Sequence, residues 1–518
     1  MDKKDYIDIS KAPDIKDKKT RFLYRLLEIF PGALSLGTLL AVLVFSWIQP
    51  SFVSIFVICF SFYYLLRVLY FSMHQIISYF KIKKHLRTDW LKELKKIPAR
   101  SGGKDADWRN IYHLVILPTY KEGSKIIKES LDAIVAAEYP KEKLIVILAT
   151  EARAGKEFEE MAKRIEKEYK DKFLKFLVTY HTANVEGEIA GKGSNVAFAG
   201  KKAKEIIDGL KIQYKNIIVS SFDIDTKVYK HYFSCLTWYY LTEKNPEMAS
   251  YQPIPVYNNN IWKAHFFTRV VATSNTFWQM IQQERSEKLT TYSSHAIPAK
   301  VFFEVGYPSN VVQDDSRIFW KAYLYYDGNY RVVPIYYLVS MDAVQTPRFL
   351  RTVINQYQQQ KRWAWGVAEI PYIMFGFLQN KKISFMQKVS HLYTIIDGYW
   401  SWATSALLLL MLGWLPILLG GEKFNFSVLS FNLPILTGRI MTFALVGMFI
   451  SAILSTLLLP PLPKGTKSKY IKRASVFLQW LFLPVTLIVF GAFPALDAQI
   501  RLMLGKYMGF WVTEKIRR

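Results

Sequence analysis

Cysteine is almost absent: Cys59 and Cys235 are the only two among 518 residues. Cys59 sits in an apolar stretch far from Cys235, so a disulfide framework and a cysteine-based metal site are both excluded. Charge is missing in long blocks. No Asp, Glu, Lys or Arg occurs from Ile29 to Leu66, from Gly398 to Gly421, from Ile440 to Pro463, or from Ala474 to Leu496. Blocks of this length can cross a bilayer, which excludes one soluble core. Acidic residues are in deficit, 42 against 68 Lys and Arg, for a net charge of +26. Many of the cations flank the apolar blocks, at Lys81, Lys83, Lys84 and Arg87 and from Lys464 to Arg473. The excess is therefore assigned to cytoplasmic loops and anionic lipid, with no nucleic-acid partner. Internal repeats and low-complexity tracts are also lacking. No cleavable signal peptide is expected, because the first twenty residues are highly charged and no apolar stretch with a cleavage site follows closely.

What is present divides the chain. Residues 1–90 read as a cytoplasmic tail and two membrane helices, with Gln49-Pro50 at the external turn. Residues 91–348 alternate strand-like and helix-like patterns. Leu114–Leu117, Leu144–Leu148 and Ile217–Ser220 are short β-type runs, and Lys125–Ala137 is helical. Strand–helix–strand order implies a mainly parallel α/β sheet covered by helices. Residues 349–390 are amphipathic and aromatic, as suits interfacial helices. Residues 391–496 hold about three membrane helices, and 497–518 an amphipathic C-terminal segment.

Four segments carry chemistry. Val115–Glu122 is a strand ending in a polar loop, and ligand sites in parallel sheets lie outside the carboxyl ends of strands. Ser220–Asp225 reads as a buried strand whose alternate residues Asp223 and Asp225 point the same way. Two such carboxylates can hold one hard divalent cation, Mg2+ or Mn2+. Gln313-Asp314-Asp315 either caps the helical stretch that follows or supplies a general base, since a carboxylate can take the proton of an attacking hydroxyl. Gln359, Arg362 and Trp363 share one helical face, where Arg suits a diphosphate and Trp a sugar ring.

In order and spacing, these segments resemble the family 2 membrane glycosyltransferases, above all the processive cellulose, chitin and hyaluronan synthases. The similarity covers roughly residues 110–370. It implies a GT-A domain over 91–348 and inverting transfer from a nucleoside-diphosphate sugar, a UDP-sugar, to a glycan or lipid-linked acceptor at the plasma (inner) membrane. Thr119, Tyr120 and Glu122 would lie at the nucleotide, with Tyr120 against the base. Glu151 stands where the family usually has a base-contacting Asp. Lys192 matches a lysine-glycine segment near the nucleotide. Asp223 and Asp225 match the D-x-D for nucleotide and metal. Asp315, with Asp314 beside it, falls on the T-E-D motif, which here reads Gln-Asp-Asp. Gln359, Arg362 and Trp363 match Q-x-x-R-W. Phe510-Trp-Val-Thr-Glu-Lys515 resembles the F-x-V-T-x-K gating loop, with Thr513 and Lys515 suited to phosphate.

The resemblance implies a cytoplasmic C-terminus, whereas two spans, a cytoplasmic domain and three spans would leave it outside. Either Ala474–Leu496 is re-entrant, helped by Pro484 and Pro494, or a further span lies near 366–379, or the C-terminal match is accidental. Transfer of a single sugar to a lipid or lipid phosphate is the competing enzyme reading. A transporter is disfavoured because the long spans carry no charge except at their ends.

Overall fold

The computed structural model describes residues 5–97, 107–462 and 468–511. Helices α1 (Lys18–Ile48) and α2 (Pro50–Arg87) form a hairpin turned at Gln49. Pro50 opens α2, where its missing amide costs no hydrogen bond. The short α3 (Trp90–Lys95) follows, capped by the Asp89 carboxylate.

The α/β domain then runs β1 (Tyr112–Pro118), α4 (Ser124–Ala136), β2 (Leu144–Glu151), α5 (Lys156–Tyr169), β3 (Lys175–His181), α6 (Lys192–Gly209), β4 (Ile217–Ser221), β5 (Lys227–Val228), α7 (Tyr232–Thr242), β6 (Ala249–Val256), α8 (Phe266–Gln283), β7 (Ala296–Pro298), α9 (Ala299–Val305), α10 (Asp314–Tyr325) and β8 (Arg331–Ser340). One sheet takes the order β3-β2-β1-β4-β7-β6-β8-β5. Only β7 and β5 run against the other strands. The α/β class with a mainly parallel sheet expected from the sequence is the one adopted, with membrane-length helices added to it. Alternation along the strands explains the two-faced core. Leu114, Ile116, Ile145 and Ile147 point to the face covered by α6, α9 and α10. Val115, Leu117, Val146 and Leu148 point to the face covered by α4, α5 and α7.

Beyond the sheet lie α11 (Phe349–Ala364), α12 (Glu369–Gln379), α13 (Phe385–Leu410), α14 (Leu415–Leu419) and α15 (Val428–Leu457). Among the described residues, α1, α2, α15 and Tyr470–Met503 are long and apolar enough to cross a membrane, and the pair α13–α14, bent by 49°, makes a fifth. At 11 residues α12 is too short to span, and Tyr372, Ile373 and Phe375 bury it in the domain core. That removes the extra crossing considered near 366–379.

From Gln479 onward, Tyr470–Met503 touches the domain and the neighbouring long helices at several points. Gln479 accepts from Arg269 of α8 at 2.7 Å. Trp480 donates to Ser455, near the end of α15 that packs on the sheet. Phe490 stacks on Phe267 of α8, with ring centroids 5.2 Å apart. Asp497 pairs with Lys361 of α11 at 3.1 Å, and the Leu502 carbonyl accepts from Arg25 in the first turns of α1. Residues 497–503 continue this helix instead of starting a separate segment.

The first residues differ from a free charged tail. Tyr6, Ile7, Ile9, Ala12 and Ile15 are buried in the core while their charged neighbours face outward. Tyr372 donates to the Ile7 carbonyl at 2.9 Å and Arg317 to that of Ile9 at 3.3 Å.

Candidate active site

Parallel strands β1, β2 and β4 end together, and the loops that leave them form one wall of a cavity of about 660 Å³. Every described residue singled out in the sequence lines it: Thr119, Tyr120, Glu122, Glu151, Lys192, Asp223, Asp225, Asp314, Asp315, Gln359, Arg362 and Trp363. Thr513 and Lys515 lie outside the described residues.

The loop after β1 is held by Glu122, which accepts from the Thr119 hydroxyl and the Tyr120 amide, each at 2.8 Å. Glu122 is thus turned back on its own loop. Glu151, at the end of β2, forms an ion pair with Arg153. The Arg153 guanidinium lies 4.3 Å above the Tyr120 ring. Arg153 was not read from the sequence, although its place two residues after Glu151 was a usable signal.

Asp223 and Asp225 do not sit on an extended strand. β4 stops at Ser221, and the Thr226 amide donates to the Asp223 carbonyl at 2.9 Å to close a turn. The two carboxylates accordingly have different surroundings. Asp225 is buried and accepts from the Asp342 amide at 2.8 Å. Asp223 accepts from Lys192 at 2.7 Å and from the Ser293 hydroxyl at 2.6 Å.

Asp314 and Asp315 occupy the first turn of α10, where the helix N-terminus favours negative charge. Asp315 meets the Lys192 ammonium at 2.7 Å and the His295 imidazole at 3.5 Å, both at Oδ1. Asp314 points inward and accepts from Tyr307 at 3.0 Å. Burial, reinforced by the Asp315 charge, pushes the Asp314 carboxyl up to about 8. Burial alone would lower the Lys192 pKa, but Asp223, Asp315 and Asp314 outweigh it and hold it above the ordinary value. Burial lowers His295, against the pull of Asp315. Lys192 opens α6, and Gly193 beside it leaves no room for a side chain: a Cβ there would stand 2.4 Å from the Pro308 carbonyl.

On the far wall, α11 presents Gln359, Arg362 and Trp363. Trp363 packs against Tyr257, ring centroids 5.9 Å apart, and Arg362 lies 4.9 Å over the Phe510 ring. Among the described residues Arg362 has no carboxylate partner, and its Nε is buried without a hydrogen bond. A half-buried cation that lines the same cavity as these acids, and has no carboxylate partner among the described residues, suits an anionic ligand. Asp223, Asp225 and Asp315 bring carboxylate oxygens into one cavity. Hard oxygen donors of this kind suit one divalent cation of the Mg2+ or Mn2+ kind.

The cavity does not end at the sheet. It continues past Trp363 between α2, α13 and residues 486–491, along Arg67, Tyr399, Trp402 and Ser405. In its wall Arg67 pairs with Asp397 at 3.3 Å and donates to Ser401 at 2.8 Å. Ser293, His295 and Tyr257 were missed in the sequence because β7 and the loop after β6 reach the site only through long-range strand pairing.

No protein-family model and no curated protein matches the chain. Among solved structures, the mannosyltransferase PcManGT from Pyrobaculum calidifontis in complex with GDP-Man and Mn2+ is similar at 15% identity and TM-score 0.42, over 86% of this chain and 100% of that one. S. aureus TarS 1-349 in complex with UDP-GlcNAc is similar at 12% identity and TM-score 0.35, over 67% and 91%. GalNAc-T7 with UDP, GalNAc and Mn2+ is similar at 13% identity and TM-score 0.32, over 56% and 58%. Likeness at these levels carries no inference about reaction or ligand.

Proposed function

We propose that the protein is a membrane glycosyltransferase that moves a sugar, with inversion, from a nucleoside-diphosphate sugar to a growing glycan. The observation behind this reading is the meeting, in one cavity, of Asp223, Asp225 and Asp315 with Arg362, which has no carboxylate partner among the described residues, and the continuation of that cavity between membrane-length helices. Tyr120 and Glu151 line the cavity, with Arg153 paired to Glu151 and set over the Tyr120 ring, and this group suits the base. Asp223 and Asp225 would hold Mg2+ or Mn2+, which supplies charge neutralisation to the donor diphosphate when bound.

In the transfer, an acceptor hydroxyl forms a bond to the anomeric carbon and its proton passes to Asp315. Both contacts of Asp315 fall on Oδ1, which leaves Oδ2 for that proton. The bond between the anomeric carbon and the diphosphate breaks, the electron pair leaves with the nucleoside diphosphate, and Arg362 stabilises that charge. Trp363, Tyr399 and Trp402 offer flat apolar faces along the acceptor's path. A processive synthase with export accounts for a passage that runs on between the helices.

The domain is assigned to the cytoplasmic side because Lys81, Lys83, Lys84 and Arg87 close α2 next to it. Four crossings, by α1, α2, α13–α14 and α15, return the chain to that side before Tyr470, and Tyr470–Met503 then lies along the domain at the interface. The second reading is transfer of one sugar to a lipid phosphate. It is favoured by Arg67 in the cavity wall, a cation within reach of a membrane-borne anion.

Purified protein is incubated with labelled sugar nucleotides and Mg2+ or Mn2+, and product size is measured. A polymer is expected. A single-sugar lipid product selects the second reading, and absence of turnover with every sugar nucleotide rejects both. Asp315→Asn is expected to lower turnover by about 10²–10⁴-fold with an unchanged fold, and full turnover by that variant removes Asp315 as the base.

A further inference from the structure

We propose that Asp89, Glu138 and His231 form a second metal site, for a divalent transition ion such as Zn2+, that fastens the foot of α2 to the α/β domain. One carboxylate oxygen from each acid and one imidazole nitrogen lie within 4.8 Å of one another. The three residues come from separate elements: Asp89 lies between α2 and α3, Glu138 follows α4, and His231 precedes α7. Glu138 lies between α4 and β2, at the amino edge of the parallel strands, whereas Asp223 and Asp225 follow the carboxyl end of β4. The cluster is therefore on the opposite edge of the sheet from the catalytic cavity and shares no residue with it.

The histidine makes this more than a group of surface acids. His231 is only 9% exposed, and its Nδ1 is buried without a hydrogen-bond partner. That nitrogen is 3.4 Å from Glu138 Oε2. Two ligands about 2.0–2.1 Å from a tetrahedral zinc ion stand about 3.3 Å apart, so the pair already has the spacing of one edge of such a site. The backbone around it is tied down. The Glu138 amide donates to the Lys230 carbonyl at 2.6 Å, and the His231 amide to the Tyr337 hydroxyl at 3.1 Å. Asp89 is fixed as the cap of α3, whose Trp90 packs on Trp238 of α7 at 5.3 Å. The Lys92 amide donates to Asp89 Oδ1 at 3.0 Å. Lys230 binds the other Glu138 oxygen, Oε1, at 2.7 Å and leaves Oε2 to face the histidine.

An imidazole with two carboxylates selects borderline ions over Mg2+ or Ca2+, which take oxygen alone. Three protein ligands leave the fourth position to water. Because Asp89 is two residues beyond the end of α2, an ion here would couple the membrane hairpin to the domain that contains the catalytic cavity.

The test uses the full-length protein in detergent, stripped with a chelator and titrated with Zn2+ against a chromophoric competitor, with Tm as a second readout. Wild type is expected to bind one Zn2+ at this site and to gain thermal stability on binding. His231→Gln, Glu138→Gln and Asp89→Asn are each expected to bind about tenfold more weakly or worse and to lose the Tm gain. Should His231→Gln fail to fold, the exposed Asp89→Asn decides. Co2+ substituted for Zn2+ is expected to give d–d absorption in wild type and not in His231→Gln. Equal Zn2+ affinity in wild type and Asp89→Asn overturns the proposal. So does loss of Zn2+ in Asp223→Asn with retention in His231→Gln, which would put the ion in the catalytic cavity. Asp223→Asn that retains Zn2+ while losing transfer supports both sites separately.

Discussion

Asp314 and Asp315 are adjacent in the chain, yet their surroundings give them different work. Asp315 faces Lys192 and the cavity, whereas Asp314 is enclosed against Tyr307. The folded state keeps a proton on Asp314 until about pH 8, while an unfolded chain releases it near the ordinary carboxyl value of 3.8. Between those limits the folded state binds more protons, so its stability falls as pH rises. Asp314→Asn, which cannot ionise, is expected to flatten that decline. Its Tm relative to wild type should rise from about pH 5 to about pH 8 and level off above, while turnover stays far above that of Asp315→Asn. A Tm difference independent of pH would show that Asp314 does not carry the buried proton. The two acids were a single Asp-Asp in the sequence, and only the direction of α10 separates them. The same holds for Asp223 and Asp225, where alternation on a strand was the natural reading. The turn at Thr226 breaks that alternation because β4 ends at Ser221.

At the scale of elements, β1, β2 and β4 were legible because a strand buried on both faces is a short, continuous apolar run. The partners of β7 were not, since its three residues pair antiparallel with β4 from almost 80 positions away. Length and apolarity also could not say whether Tyr470–Met503 crosses a membrane or lies along a domain, because both bury an apolar helix. Its polar contacts differ. Gln479 bonds to Arg269 of α8, Asp497 to Lys361 of α11 and the Leu502 carbonyl to Arg25 of α1, and these contacts support the proposed placement along the domain. Single cysteines placed at exposed Lys506 and Lys201, in a chain lacking Cys59 and Cys235, should react with an impermeant maleimide from the same side of sealed vesicles. Opposite sidedness would make the last segment a true span and would exclude Phe510 from the Arg362 contact in the membrane.

At the scale of the whole molecule, the question is whether the passage beyond Trp363 carries the acceptor. The cavity that holds Asp223, Asp315 and Arg362 and the gap between α2, α13 and residues 486–491 are one continuous space. Gly398 lies on its wall at the middle of α13, and a Cβ there meets nothing within 4 Å. Gly398→Ala should therefore fold well, gaining up to about 1 kcal/mol of helix propensity, and leave products unchanged. Gly398→Trp puts an indole into open space without disturbing the Asp223, Asp315 or Arg362 groups. If the acceptor passes this point, chain length or transfer should fall by about tenfold or more, while affinity for the sugar nucleotide stays within about twofold of wild type. A polymer of full length from Gly398→Trp would mean that the product leaves by another route. Loss of nucleotide affinity would mean instead that the tryptophan distorts the catalytic wall. A single-sugar lipid acceptor predicts a third pattern: blocked transfer in Gly398→Trp, and also in Arg67→Ala, whose cation would no longer meet the lipid phosphate. Donor binding, product length and the response to Arg67 together distinguish a passage for glycan from a berth for lipid within the same space.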